Sequence, residues 1–535
     1  MSIASALRRL PLGASLVVCA GLNAQRPARP APQINNRALL AHLGFLADDA
    51  LEGRNTGSRG AAVAAHYIAA QFRRMGLEPA GDSGSYFQAL PLMSRRAEPR
   101  LQASGEGAGA ELRWLEDYVL VPRLADSLST VAGDVVFVGH GIVAPSHGWD
   151  DYKDADVHGK VVLVLPGDPD STVFDRRMGR PWTSVREKVE VAVRYGAAGL
   201  LVLQRPDSPG WDVLRTLGDE RLSLVYQDGL AYWGWVRDSA ATRLVASSGR
   251  SLSDLAAEAT RREFKPVPLP LRLDATLGVT SRPVPAVNVL AKLAGRGPRA
   301  NESIVFGAHY DHEGIGRPEN GDSIYNGAED NASGIAAMLG VAEALARGSV
   351  RPGRALVFAA FVGEEKGLLG SEALVLAPPS SVGKMVGMIN ADYLNLYGAT
   401  RDIGTLGNEL STVGDALAAA ARAENLSVRV DPDDVARSRF FRSDNYPFAR
   451  AAIPSIRIVN GVDYVGRPAE WGREQRERYW TERYHQPDDQ IADWMSVDGL
   501  AQQARVVERM LLLLADAPRA PAWSAKSDFR PGSAR

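Results

Sequence analysis

Cysteine is nearly absent. The 535 residues contain one, Cys19, in an apolar stretch close to the N-terminus. A single thiol forms no intrachain disulfide, and if the chain is cut near Ala24 the remainder holds no Cys nucleophile. Long apolar runs are missing too: no segment is long and apolar enough to span a bilayer comfortably. No stretch is rich in lysine and arginine, and the formal net charge is -2, which gives no reason to expect a nucleic-acid partner. Histidine is scarce, with eight residues. What remains is an ordinary globular composition, 45% hydrophobic and 23% charged, in a chain too long for one core, so two or three domains are expected.

The N-terminus departs from that average. Arg8 and Arg9 precede a short apolar segment, small residues follow near Ala20 to Ala24, and a Pro-rich stretch comes next. This order describes a secretory signal peptide over residues 1–24 and a secreted or periplasmic location. Anchoring through Cys19 is disfavoured, because Val18 stands where a lipoprotein signal wants a small residue.

Periodicity divides the rest. Helices are expected at 36–46, at 61–75 with Gly76 closing it, and, further on, at 332–347, 369–376, 409–425 and 497–515. Between them the apolar runs SIVFGA, RALVFAAF, VGMINA and SIRIV read as buried strands, so the fold class is α/β with a largely parallel sheet between helices. Residues 103–273 have a different character, short strands and turns, and read as an inserted β-rich module. Residues 25–102 then belong with 274–517, and the polar tail 518–535 is expected to be disordered. His66, His140, His147 and His158 are not backed by carboxylates at strand ends and are read as structural.

The chemistry gathers between Ile304 and Asn395. His309 ends one strand with Asp311 two positions on, Glu364 and Glu365 follow another, and Asp392 ends a third. Open α/β sheets place ligand-binding groups just beyond the carboxyl ends of their strands. Asp330 stands in a Gly-rich turn before a helix; read singly, it is a helix-start carboxylate. The adjacent Glu364 and Glu365 repel each other near an apolar interior unless a cation sits between them. His485, far downstream in RYHQPDDQI, adds a second imidazole. Two histidines and three carboxylates, one of them shared, suit two zinc ions in a mixed nitrogen and oxygen environment. Such a pair can lower the pKa of a bridging water from about 15.7 to about 7, worth on the order of 12 kcal/mol. A carboxylate then suffices as the base. Asp311 is read as a partner that orients His309 rather than as a ligand.

The strings GAHYDH, NGAEDNASG, GEEKGLLGS, INADYLN, RSDNYPF and YHQPDDQ, in that order, resemble the di-zinc exopeptidases that include bacterial leucyl aminopeptidases, aminopeptidase Y and glutamate carboxypeptidase II. The resemblance covers Val287 to about Ile491, and DALEGRNTGSRG with the following helix is similar to the N-terminal part of that family. It implies a zinc-exopeptidase-like mixed sheet and an inserted protease-associated domain over 103–273. It also implies roles: His309 and Asp392 on one zinc, Glu365 and His485 on the other, Asp330 bridging, Glu364 as general base and Tyr484 as an oxyanion partner. Asn445 departs from the family pattern, which often has His there. The stretch 461–480 has no counterpart and reads equally as a lid or as a solvated loop.

The resulting expectation is a secreted zinc-dependent aminopeptidase acting on peptides. Three alternatives stay open. A carboxypeptidase or dipeptidase would need cations for a substrate carboxylate, which Arg439, Arg442 and Arg457 could supply. A glutaminyl cyclase would use one zinc. A non-catalytic binding protein would have lost the site.

Overall fold

The computed structural model describes residues 34–105, 110–169, 184–205, 208–225, 229–246, 248–348, 351–525 and 527–531. Residues 1–24, expected to be a signal peptide, and with them Cys19 lie outside these residues. Among the described residues no helix is long and apolar enough to cross a membrane.

The chain enters through two capped helices. Asn35 accepts the backbone N–H groups of Arg37 and Ala38 and starts α1 (Asn36–Leu46). Ser58 accepts the N–H of Ala61 and starts α2 (Arg59–Arg74). A side-chain oxygen at this position satisfies a donor that the first helical turn leaves unpaired. The apolar faces of both helices, with Leu39, Leu43, Ile68 and Phe72 fully buried, lie in the same core as the sheet described next.

That sheet has nine strands. Its centre is β1 (Val287–Leu293), β2 (Glu302–His309), β3 (Ala355–Phe361), β4 (Lys384–Ala391), β5 (Asp402–Leu406) and β6 (Ser455–Val459), in the spatial order β1, β3, β2, β4, β6, β5. The pairs β3–β2, β2–β4 and β4–β6 are parallel, whereas β1 and β5 run antiparallel to their neighbours on this path, β3 and β6. The sheet is therefore mixed, with a parallel middle. Strands β2 to β4 are buried along nearly their whole length, which is why each reads as a continuous apolar run instead of an alternation. Helices α3 (Ser333–Arg347), α4 (Leu369–Leu376), α5 (Val413–Ala423), α6 (Trp471–Arg478) and α7 (Asp498–Asp516) complete the layers.

Residues between the first helices and β1 build a second nine-stranded sheet with its own cores. It is wider than 103–273. Its legs, Leu92–Gly105 and Val267–Pro283, pair antiparallel from Met93 opposite Pro283 to Gly105 opposite Leu271. The first leg was hidden in the sequence because Arg96, Glu98 and Arg100 alternate with Ala97, Pro99 and Leu101. Such a strand is buried on one face only, so it lacks the apolar run that marks the central strands.

The tail corrects an expectation. Instead of being disordered from Pro518, the chain packs Trp523 and Phe529 against Phe440 and Tyr446, and the Trp523 indole donates to the carbonyl of Ala452. Two aromatic side chains in an otherwise polar tail are enough to fix it, because each buries a large apolar surface.

Candidate metal centre

All five residues singled out as metal ligands come together at the carboxyl edge of the parallel strands. His309 is the last residue of β2, Asp392 directly follows β4, and Glu364 and Glu365 lie three and four residues past β3. Asp330 lies in the turn that leads into α3, and its peptide bond to Asn331 is cis. His309 Nε2 lies 3.2 Å from Asp330 Oδ1 and 3.4 Å from Asp392 Oδ1. His485 Nε2 lies 3.5 Å from Asp330 Oδ2 and 3.2 Å from Glu365 Oε2. The two oxygens of Asp330 thus face different histidines. Donor atoms of His309, Asp330 and Asp392, and separately of His309, Glu364 and Glu365, lie close enough to share one ion.

Two observations fit a cation here. His485 Nε2 is buried with no hydrogen-bond partner of acceptable geometry, although two carboxylates face it. In addition, five carboxylates, Asp311, Asp330, Glu364, Glu365 and Asp392, are packed near one another. Burial raises the pKa of Glu364 well above the carboxylate range, and Glu365 and Asp392 add repulsion in the same direction. Burial also opposes ionisation of Glu365 and Asp330, but the imidazoles facing them, His312 and His485 for the first, His309 and His485 for the second, outweigh it and hold both low. For His309, burial favours the neutral ring, but the charge of Glu364 and hydrogen bonds to Asp330 and Asp392 raise it well above its usual value. Alternating acids and imidazoles of this kind are what a site for divalent cations provides.

Asp311 supports the site differently from the expectation. Its backbone oxygen, not its carboxylate, meets His309 Nδ1 at 3.1 Å, while the nearest carboxylate oxygen is 3.9 Å away. The carboxylate instead accepts from Thr56 Oγ1 at 2.7 Å and from the backbone N–H of Glu364 at 3.3 Å. It therefore fixes the strand end that carries Glu364 and Glu365 as well as the loop after β2.

Four supporting residues were not singled out from the sequence. His312 Nδ1 lies 2.9 Å from Glu365 Oε1, and the ring is fully buried. Glu313 faces His485 Nδ1 at 3.4 Å and pairs with Lys366. Asp489 accepts the backbone N–H groups of Glu329 and Asp330, at 2.8 and 3.0 Å, which docks the segment of His485 onto the turn of Asp330. Arg54 is buried beneath the cluster and donates to the backbone oxygens of Leu46, Tyr310, Asn326 and Gly327. His312, Asp489 and Arg54 stand inside the strings GAHYDH, YHQPDDQ and DALEGRNTGSRG, so a signal for them was present, although their partners could not be inferred without the fold; Glu313 lies in none of these strings.

The stretch 461–480 is neither loose nor solvated throughout. Arg476 of α6 pairs with Asp431 and Asp434, and the Arg439 guanidinium lies 3.1 Å from the centre of the Trp480 ring. Tyr484 packs at 4.6 Å from Trp480 and at 3.9 Å from His485. Burial raises the Tyr484 phenol, so it stays protonated at neutral pH. Asn445 is buried and donates to the carbonyl of Phe440. Glu364, Glu365, Asp330, Asp392, Tyr484 and His485 line one cavity of about 440 Å³. Of the histidines read as structural, His140 contacts the carbonyls of Pro166 and Gly167, and His66 packs edge-on against Phe87.

The model of peptidase family M28 matches residues 288–510. A probable zinc metalloprotease of Pyrenophora teres f. teres (strain 0-1) is 30% identical over 247 residues, which cover 45% of this chain and 50% of that protein. Leupeptin-inactivating enzyme 1 of Streptomyces exfoliatus is 28% identical over 203 residues, covering 36% and 41%. The chain spans about half the length of the curated relatives it matches. Among solved structures, an aminopeptidase from Aneurinibacillus sp. strain AM-1 aligns over 91% of this chain and 95% of its own, with 19% identity and a TM-score of 0.44. The zinc aminopeptidase BSAP from Bacillus subtilis aligns over 92% and 98%, with 19% identity and a TM-score of 0.42. The segment 288–510, which carries His309, Asp330, Glu364, Glu365, Asp392 and His485, belongs to peptidase family M28.

Proposed function

We propose that this chain is a zinc-dependent metallopeptidase, an exopeptidase of aminopeptidase type that acts on peptides outside the cytoplasm. One observation carries the reading: Asp330 faces His309 with one oxygen and His485 with the other, inside a cavity that Glu364 also lines. Two zinc ions would be held by this set, His309 and Asp392 on one side, Glu365 and His485 on the other, with Asp330 shared. Bound zinc supplies Lewis-acid polarisation of the peptide carbonyl and makes water easier to deprotonate.

The remaining steps belong to the chain's own residues. Glu364 takes a proton from the attacking water and returns it to the departing amine, as a positioned general base does. The protonated phenol of Tyr484 donates to the oxyanion that develops on the carbonyl oxygen. Arg457, 2.9 Å from Asp392 Oδ2, and Ser443, 2.6 Å from the same oxygen, leave Oδ1 facing His309. Tyr393, Trp480 and Tyr484 form an aromatic part of the lining of this cavity.

The test separates base from ligand. Glu364→Gln should retain zinc by elemental analysis and lose at least about 10²-fold in kcat, the scale of a general base. Glu365→Ala should lower the zinc content itself. Full activity in the first variant, or unchanged zinc in the second, refutes the assignment. Cleavage of amino-acid p-nitroanilides, with N-blocked dipeptides left intact, distinguishes aminopeptidase from carboxypeptidase. N-terminal sequencing of exported protein tests removal of residues 1–24.

A further inference from the structure

The cavity that holds the metal-capable residues also holds five arginines, and their partners sort them into two groups. Arg457 pairs with Asp392 at 2.9 Å and lies over the Tyr393 ring. Arg439 donates to Tyr393 Oη at 2.8 Å, faces Asp434 at 3.3 Å and stacks on Trp480. Arg186 reaches in from the inserted domain, donates to the carbonyl of Gly367 at 2.6 Å and lies 3.7 Å from Glu372. These three are held by protein groups. Arg437 and Arg442 are exposed, and among the described residues neither has a carboxylate within 4 Å. Arg442 is close enough to Tyr484 for its charge to act on the phenol.

The segment that presents these two side chains is pinned. It runs from the turn Pro432–Ala436 to the turn Arg439–Arg442, and Phe440 and Phe441 bury its underside. Asp431 and Asp434 tie it to Arg476 of α6. Once divalent cations offset the carboxylates at the other end of the cavity, two guanidinium groups without acidic partners face the remaining space. A guanidinium fork matches a carboxylate in geometry as well as charge. About 440 Å³ is at the small end of ligand pockets, enough for the residues flanking one bond.

We propose that Arg437 and Arg442 form a subsite for a substrate carboxylate next to the scissile bond, so that the preferred substrates are short anionic peptides. This rests on the peptidase reading above. The carboxylate comes either from an acidic N-terminal side chain or from the free C-terminus of a dipeptide.

Matched pairs separate the two sources. Zinc-loaded full-length protein is assayed for kcat/KM on Glu-Ala-amide against Gln-Ala-amide, and on Leu-Ala against Leu-Ala-amide. In at least one pair the carboxylate member should be faster by about tenfold, the equivalent of one good ion pair. The pair that responds identifies the source. In the double variant Arg437→Gln/Arg442→Gln the ratio should fall toward one, and Arg442→Lys should give an intermediate value, since it keeps the charge but loses the fork. In wild type the ratio should also shrink at an ionic strength of about 1 M, where the screening length is about 3 Å, a readout that needs no variant. Ratios near one in both pairs, or a preference that survives the double substitution, overturn the subsite while leaving the peptidase reading intact. Failure to hydrolyse any of the four peptides overturns the peptidase reading, and the subsite with it.

Discussion

Arg54 offers the sharpest test of how the site is held. It is 1% exposed and sits in a turn far from the catalytic strings, yet it donates to Tyr310 O at 2.8 Å, Asn326 O at 2.5 Å, Gly327 O at 3.0 Å and also to Leu46 O. Burial pulls its pKa down to about 10, against the charges of Asp489, Asp311, Asp330 and Glu365, so it remains a cation at neutral pH. It therefore joins the loop after β2 to the turn before Asp330 and offsets part of the acidic cluster. A hydrogen bond to a charged group contributes about 1.5–3 kcal/mol. Four bonds from one guanidinium are not additive, so the better scale is the loss of one partner from a buried ionic network, about 3–5 kcal/mol. Against a typical total of about 5–15 kcal/mol, Arg54→Ala should remove a fifth or more of the stability. Denaturant unfolding should show this as a lower midpoint at constant slope, and zinc content should fall because both ligand-bearing loops are released. Arg54→Lys should fall between the two, because one ammonium with three donors cannot serve four acceptors. Unfolding of Arg54→Ala within about 1 kcal/mol of wild type, with unchanged zinc content, refutes this role for Arg54.

Three further outcomes follow from the same geometry. Gly327 adopts φ +61°, and a Cβ there would collide with the Asp330 backbone oxygen and lie 2.6 Å from His312 Cγ; Gly327→Ala should therefore lower zinc affinity and stability together, by about 1–3 kcal/mol in unfolding experiments. Beside the second sheet, Asp151 accepts from Ile142 N and from the Trp149 indole, and burial raises its pKa to about 7 from the usual 3.8. A raised folded pKa means a contribution fully present below about pH 4 and lost as pH rises through about 7, at most on the order of 4 kcal/mol, so thermal unfolding of Asp151→Asn should lack that fall; an equal slope in the variant refutes it. Trp523→Ala should lower Tm by an amount equivalent to about 3–5 kcal/mol, the usual cost of truncating a buried tryptophan, whereas a truly disordered tail would give no change.

Legibility varied with the kind of burial. Helix 36–46 was readable to the residue because Asn35 caps it and its apolar positions keep one period. The helix expected over 409–425 begins instead at Val413, since Asn408–Leu410 forms a separate turn that periodicity does not distinguish. Fully buried strands such as β3 announce themselves as apolar runs, while the legs of the second sheet, buried on one face, do not. The order of the tail is invisible to composition, which averages over residues, because two aromatic anchors dominate its packing.

The sequence alone determined which chemistry was available: strands ending in His309, Glu364, Glu365 and Asp392, a turn carrying Asp330, and no Cys nucleophile in the M28 segment. Each of those is a local pattern, written in the order of apolar and acidic side chains along one strand or turn. Tertiary structure decided how the pieces meet. Arg54 and Tyr310 are 256 positions apart, and Asp489 and Asp330 are 159 apart, yet both pairs are hydrogen-bonded. It also decided which arginines are spent on internal partners and which face the cavity, because charge compensation depends on distance in space, and distance along the chain does not report it.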